Sequence, residues 1–82
     1  MYRIFMIEDD EGILNAVRER CKKWEMEVFG AENYREILTE FVKRQPHLVI
    51  MDIGLPAFDG YNWCREIRRI SNVPILFLSS AA

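Results

Sequence analysis

No stretch of the 82 residues approaches the roughly 20 consecutive apolar positions that a membrane-spanning helix needs. The apolar run at the N-terminus is too short for a secretory leader, and it ends in Glu8-Asp9-Asp10 where a leader would carry small residues. A cytoplasmic location is the expectation. Excess positive charge is missing as well. The 11 basic and 13 acidic residues leave a net charge of −2, which offers no electrostatic footprint for nucleic acid or an anionic membrane. Cysteine is scarce: Cys21 and Cys64 are far apart, neither belongs to a C-x-x-C pair, and reduced thiols are expected over a disulfide or a metal site. The single histidine, His47, stands next to Pro46 ahead of an apolar run and reads as a surface residue. Repeats and low-complexity segments are absent, and disorder is excluded because half the residues are hydrophobic against 29% charged.

What the chain does have is an alternation of two periods. Ile4 to Ile7 is a continuous apolar run, the pattern of a strand buried on both faces. Ile13, Leu14, Val17, Cys21 and Trp24 then recur at helical spacing behind Asp10, a good N-cap residue. Met26 and Val28 alternate with Glu25 and Glu27, which predicts a half-exposed edge strand ending at Gly30. Asn33 followed by Glu36 resembles a capping box, and Tyr34, Ile37, Leu38, Phe41 and Val42 form the stripe of a second helix closed by Pro46. Leu48 to Ile53 predicts a second buried strand, interrupted near its end by Asp52. A turn-rich loop leads into a third helix from about Asp59 to Ile70, with Cys64, Ile67 and Ile70 inward, and Asn72 and Pro74 break it. Ile75 to Leu78 is the fourth strand.

The order βαβαβαβ argues for one α/β domain with a doubly wound parallel sheet. The length is near the low end for a self-sufficient core. Four consecutive apolar residues in the last strand suit a position with neighbours on both sides, and nothing follows to supply them. The domain is therefore expected to be incomplete by at least one βα unit, and self-association is expected through the surface this leaves open, most simply as a dimer.

In such a sheet, ligands bind beyond the carboxyl ends of the strands. Those ends carry Glu8 and Asp9, Asp52, and Ser79. Two unit charges about 4 Å apart repel by roughly 4 kcal/mol at an effective dielectric near 20. Carboxylates gathered there must raise one another's pKa or bind a cation. An all-oxygen donor set suits Mg²⁺ or Mn²⁺ and not zinc. A metal held by some of the carboxylates leaves another free to act as nucleophile toward a phosphoryl group.

At these positions the sequence resembles the response-regulator receiver family of two-component signalling. Ile7-Glu8-Asp9-Asp10-Glu11 is similar to the family's acidic pair. The stretch Met51-Asp52-Ile53-Gly54-Leu55-Pro56-Ala57-Phe58-Asp59-Gly60 resembles its most specific motif, D-x-x-L-P-x-x-D-G. Val73 to Ser79 resembles its fourth strand and switch hydroxyl. The resemblance covers the whole chain in order. It implies a flavodoxin-like receiver fold, here lacking the last strand and last two helices, with residues 1–82 as the N-terminal part and the output domain elsewhere. Asp52 would be the phosphoacceptor. Asp9 would hold the metal directly, Glu8 directly or through water, with Asp52 and the Gly54 backbone carbonyl as further ligands. Ser79, with Ser80 beside it, would bind the phosphoryl group and couple it to a conformational change; Pro56 and Gly60 would shape the loop. The implied cofactor is Mg²⁺ or Mn²⁺ and the implied partner a sensor histidine kinase. The implied output is transcription through another domain, with no nucleic acid contact by this segment. The chain would be a phosphoacceptor and not an enzyme with turnover.

Three departures stand out. The family's lysine after a fifth strand has no counterpart here, Phe58 replaces the commoner methionine, and Ser80 replaces a smaller residue. The competing expectation is a phosphorylation-incompetent fragment that only associates. A phosphatase with an aspartate nucleophile would want a general acid where Gly54 stands, and a flavin phosphate would be repelled by Glu8 to Glu11. The remaining aromatics, Trp24, Tyr34, Phe41 and Trp63, read as core or interface, and Arg65, Arg68 and Arg69 as a solvated helix face.

Overall fold

Strands whose residues are apolar without interruption have no face to give to water, so both faces must be covered. The computed structural model describes residues 1–79 and meets this demand with three layers. Strands β1 (Tyr2–Ile7), β2 (Met26–Gly30), β3 (Leu48–Asp52) and β4 (Ile75–Leu78) alternate with helices α1 (Glu11–Lys22), α2 (Ile37–Arg44) and α3 (Gly60–Arg68). All strands are parallel, in the order β2-β1-β3-β4. Phe5 and Ile7 project from β1 to one face, where they pack with Ile37 and Phe41 of α2, Ile67 of α3, and Val49 and Met51 of β3. Ile4 and Met6 project to the other, against Leu14 of α1 and Val28 of β2. The strand period of two therefore sorts β1 into two separate cores.

Asp10 caps α1 as its position suggests, its Oδ1 accepting from Gly12 N at 2.8 Å and Ile13 N at 3.2 Å. Several boundaries differ from the sequence pattern. Trp24 is not the last residue of the α1 stripe: the helix ends at Lys22, Glu25 turns the chain with φ 56°, and Trp24 is 73% exposed. Ile13, Val42 and Ile70 are also exposed, because Leu14, Phe41 and Ile67 already fill the inward positions. The capping box at Asn33 is not formed. Glu36 occupies the N-cap position of α2 with no side-chain hydrogen bond, and residues 31–36 fold as a turn. At the far side β4 is an edge strand, with Leu76, Phe77 and Leu78 exposed.

The opposite end of the sheet is tied together by Arg3. Its backbone N–H donates to His47 Nδ1 at 2.9 Å, and its guanidinium donates to the carbonyls of Arg44 and Gln45. This brings β1 to the C-terminus of α2, where Gln45 sits in the left-handed region with φ 48°. A residue with a β-carbon is disfavoured there. Gln45→Gly is expected to stabilise the fold by about 0.5–1 kcal/mol, since only the Gln45 backbone carbonyl is used by Arg3. Urea unfolding monitored by circular dichroism checks this.

Candidate functional site

The strand order reverses direction at β1, and the crevice outside β1 and β3 is where a doubly wound sheet receives ligands. Glu8 and Asp9 follow β1, and Asp52 ends β3. Glu8 and Asp52 are the two buried charged residues of the core region, 6% and 5% exposed. Both face the same cavity, near enough for Asp52 to act on the ionisation of Glu8. Asp52 Oδ1 accepts from Gly54 N at 2.7 Å, and Glu8 Oε2 accepts from Asp9 N at 3.0 Å, so both carboxylates are held in place by local backbone. Burial pushes the Glu8 carboxyl above the usual carboxylate range. The hydrogen bond to Asp52 and the negative charge of Asp52 push the same way, against hydrogen bonds from the Asp10 and Asp9 backbone.

A cavity of about 170 Å³ opens onto these groups. Glu8, Asp9, Asp52 and Gly54 line it, with Ile13, Leu55 and Pro56 as apolar walls. The loop from 53 to 59 is shaped to hold it. Leu55 is anchored in the core at 9% exposure, and Ala57 takes φ 55°. Asp59 caps α3 by accepting from Asn62 N at 3.0 Å. Gly60, buried, allows the first turn of α3 to lie on β3: a β-carbon there would come within 3.2 Å of Met51 Sδ and 3.3 Å of Ile53 Cγ2. Pro56 lines the cavity and Gly60 opens α3.

Of the expected site residues, Glu8, Asp9, Asp52 and Gly54 are brought to one cavity. Ser79 follows Leu78, which pairs with Asp52, so it stands at the same end of the sheet. Ser80 lies outside the described residues. The convergence of three carboxylates is looser than the strand ends suggest. Glu8 and Asp52 are in contact, whereas Asp9 is exposed at the cavity mouth, and among the described residues no group of three or more His, Cys, Asp or Glu is placed to hold a metal ion by itself. Mg²⁺ does not require such a cage. It keeps several waters and is commonly held by one or two carboxylates plus phosphate oxygens. A cavity whose donor side chains are carboxylates, two of them buried side by side with the ionisation of one opposed, fits that cation.

One residue near the rim carries no signal in the sequence pattern. Tyr34 reads as part of the α2 stripe, yet it precedes the helix, and its ring packs against Phe58 with centroids 5.8 Å apart. Burial pushes the Tyr34 hydroxyl above its ordinary pKa, and the negative charges of Asp9, Glu8, Glu11 and Asp52 add to the effect.

Known proteins are similar to this chain in sequence and fold. The family model for the response regulator receiver domain matches residues 4–82. The sensory transduction protein BceR of Halalkalibacterium halodurans is 50% identical over 80 residues, which are 98% of this chain and 35% of BceR. The chain thus spans about a third of the length of such curated relatives. Among solved structures, the N-terminal domain of the nisin resistance regulator NsrR superimposes with a TM-score of 0.91 at 33% identity, covering 99% of this chain and 68% of that one. The response regulator TrrA of Thermotoga maritima superimposes with a TM-score of 0.83 at 30% identity, covering 100% of this chain and 72% of TrrA. TrrA has been solved both with the histidine kinase ThkA and with Mg²⁺ and a beryllofluoride.

Proposed function

Because this chain belongs to the response regulator receiver domain family, we propose that Asp52 accepts a phosphoryl group from a sensor histidine kinase and that this modification switches a regulator's output, in the form of transcription control. The observation that carries the reading is the abutting Glu8–Asp52 carboxylate pair, buried at the switch point of the sheet beneath an open cavity. A structural role gives no reason to bury two like charges together.

In the transfer, an Asp52 carboxylate oxygen attacks the phosphorus of a phosphohistidine. The P–N bond breaks, and its electron pair stays on the departing imidazole, which takes a proton from solvent. Asp52 becomes an acyl phosphate. The Gly54 N–H fixes the Asp52 rotamer before the reaction. Glu8, Asp9, Asp52 and the Gly54 carbonyl are the residues that would hold Mg²⁺ or Mn²⁺. When bound, the cation offsets the charge on the transferring phosphoryl group. Ser79, reached from the end of β4, would donate its hydroxyl to a phosphoryl oxygen. The chain acts as an acceptor in the cytoplasm, not as an enzyme with turnover.

The test is to incubate the protein with Mg²⁺ and acetyl phosphate and to record its intact mass beside an Asp52→Asn control. One phosphoryl adduct, absent from the control, is expected. A folded protein that gains no adduct would refute the phosphoacceptor reading.

A second reading, an association module, draws support from the exposed apolar side chains of edge strand β4, where Phe77 also meets the exposed Tyr61 at 5.1 Å. Such an edge is a template for pairing with a second copy. A dimer is the expected result in sedimentation velocity at high micromolar concentration. A single monomeric species would remove this reading and leave the first intact.

A further inference from the structure

The segment between β2 and α2 is held more firmly than a connection requires. From the first turn of α2, the Glu40 carboxylate accepts from Glu32 N at 2.9 Å and Asn33 N at 2.9 Å. Asn33 Oδ1 accepts from Arg35 N at 2.9 Å, and the Asn33 carbonyl from Glu36 N at 3.0 Å. Arg44, one helix length away, pairs with Glu32 at 3.9 Å and lies over the Phe29 ring at 5.1 Å. The residue this frame presents is Tyr34. Its ring meets Phe58 at an interplanar angle of 59°, and Phe58 belongs to the loop that holds Asp52. Two loops flanking the acidic rim are therefore joined by one aromatic contact, and the phenol of that contact stands in the field of Asp9, Glu8, Glu11 and Asp52.

We infer that Tyr34 and Phe58 are positioning residues for phosphorylated Asp52: their contact closes the acidic rim toward the β2–α2 segment, limits water there, and so sets how long the acyl phosphate survives. This rests on the phosphoacceptor reading and adds a control to it. In the hydrolysis that is slowed, a water oxygen attacks phosphorus and the bond from phosphorus to the Asp52 oxygen breaks. The carboxylate leaves with the electron pair, inorganic phosphate departs, and the proton of the attacking water passes to solvent. A contact that excludes water from one approach reduces the frequency of productive attack. The ring, not the hydroxyl, performs this task, because the contact with Phe58 is between rings.

The experiment uses the 82-residue chain as wild type, Tyr34→Phe, Tyr34→Leu, Phe58→Leu and the double leucine variant. Each is labelled with acetyl phosphate and Mg²⁺, freed of donor, and followed by intact mass while the adduct decays. Thermal midpoints are recorded in parallel. Both leucine variants are expected to lose the adduct roughly threefold to tenfold faster, and Tyr34→Phe to stay within about twofold of wild type. The double variant is expected to decay no faster than the worse single variant, since both remove one contact. Leucine variants with lowered midpoints and an unchanged decay rate would reduce the pair to packing and overturn the proposal. Should a leucine variant not fold, the ring resonances of Tyr34 and Phe58 in the wild type decide. They are expected to shift when Mg²⁺ and beryllofluoride are added, and rings that stay unmoved while Asp52 is occupied overturn the proposal too. A wild-type chain that takes no adduct defeats the phosphoacceptor reading itself, a result distinct from unchanged decay.

Discussion

Asp52→Asn is expected to raise the thermal midpoint of the metal-free protein by a few degrees while it removes the capacity to accept a phosphoryl group. Both effects come from the same two side chains. Glu8 and Asp52 are almost fully buried and in contact, so in the absence of a cation each ionised carboxylate faces desolvation and a like charge. Asparagine has nearly the same shape. Its amide oxygen can still accept from Gly54 N, and its NH₂ can donate to an ionised Glu8, so the pair no longer needs a carboxyl proton to escape repulsion. The pH dependence has a definite sign. Glu8 ionises at a higher pH in the folded chain than its ordinary value of 4.5, so the folded state holds more protons than the unfolded state across that window. Stability therefore falls as pH rises from the ordinary value through the raised one. The gain from Asp52→Asn is expected to be small in acidic buffer and full near neutral pH. Mg²⁺ should narrow the gap by stabilising the wild type and not the variant. Calorimetry in chelator, then in Mg²⁺, measures both; a variant less stable than wild type in chelator at neutral pH would contradict the argument.

Phe5→Ala is expected to cost about 3–5 kcal/mol, the largest loss of stability from any single truncation considered. A chain this short has on the order of 5–15 kcal/mol in total. Each kcal/mol moves the midpoint of a domain of this size by roughly 4–8 °C. Phe5 is fully buried in a central strand, and its ring is packed with residues from α2, α3 and β3 together. Removing it leaves a void that several elements would have to move together to fill. Trp24 is the contrast. It is larger, but it is 73% exposed in the turn after α1, and Trp24→Ala is expected to change stability by no more than about 0.5 kcal/mol. Chemical denaturation of the two variants side by side separates burial from size.

Much of the fold was readable because the decisive signals were local. Ile4 to Ile7 and Leu48 to Met51 are apolar without a break, Asp10 and Asp59 cap the helices that follow them, and Gly30 ends its strand. The juxtaposition of Glu8 and Asp52 followed from strand order alone, since parallel strands deliver their last residues to one edge. What could not be read depended on contacts across the chain. Tyr34 falls at helical spacing from Ile37 and Leu38, yet the Glu40 carboxylate draws the backbone of residues 32 and 33 into a turn and delays the helix. Spacing cannot report a hydrogen bond that a side chain accepts from a backbone N–H eight residues away. Trp24 misled for a related reason: Leu14, Val17 and Cys21 already complete the buried face of α1, and the left-handed Glu25 turns the chain before another helical residue is added.

The central place of β1 has a consequence for the order in which the molecule can assemble. Strand β1, which precedes both of its partners in the chain, is flanked by β2 on one side and by β3 on the other, and Arg3 reaches α2 and His47 besides. A nascent chain that has released β2 but not Leu48 can pair only one side of β1, and the face carrying Phe5 and Ile7 has neither α2 nor α3 complete against it. Closure of the sheet waits for a segment far along the chain, and non-local closure of this kind slows folding. During translation, an apolar strand made before both of its partners stays partly uncovered until β3 has been released.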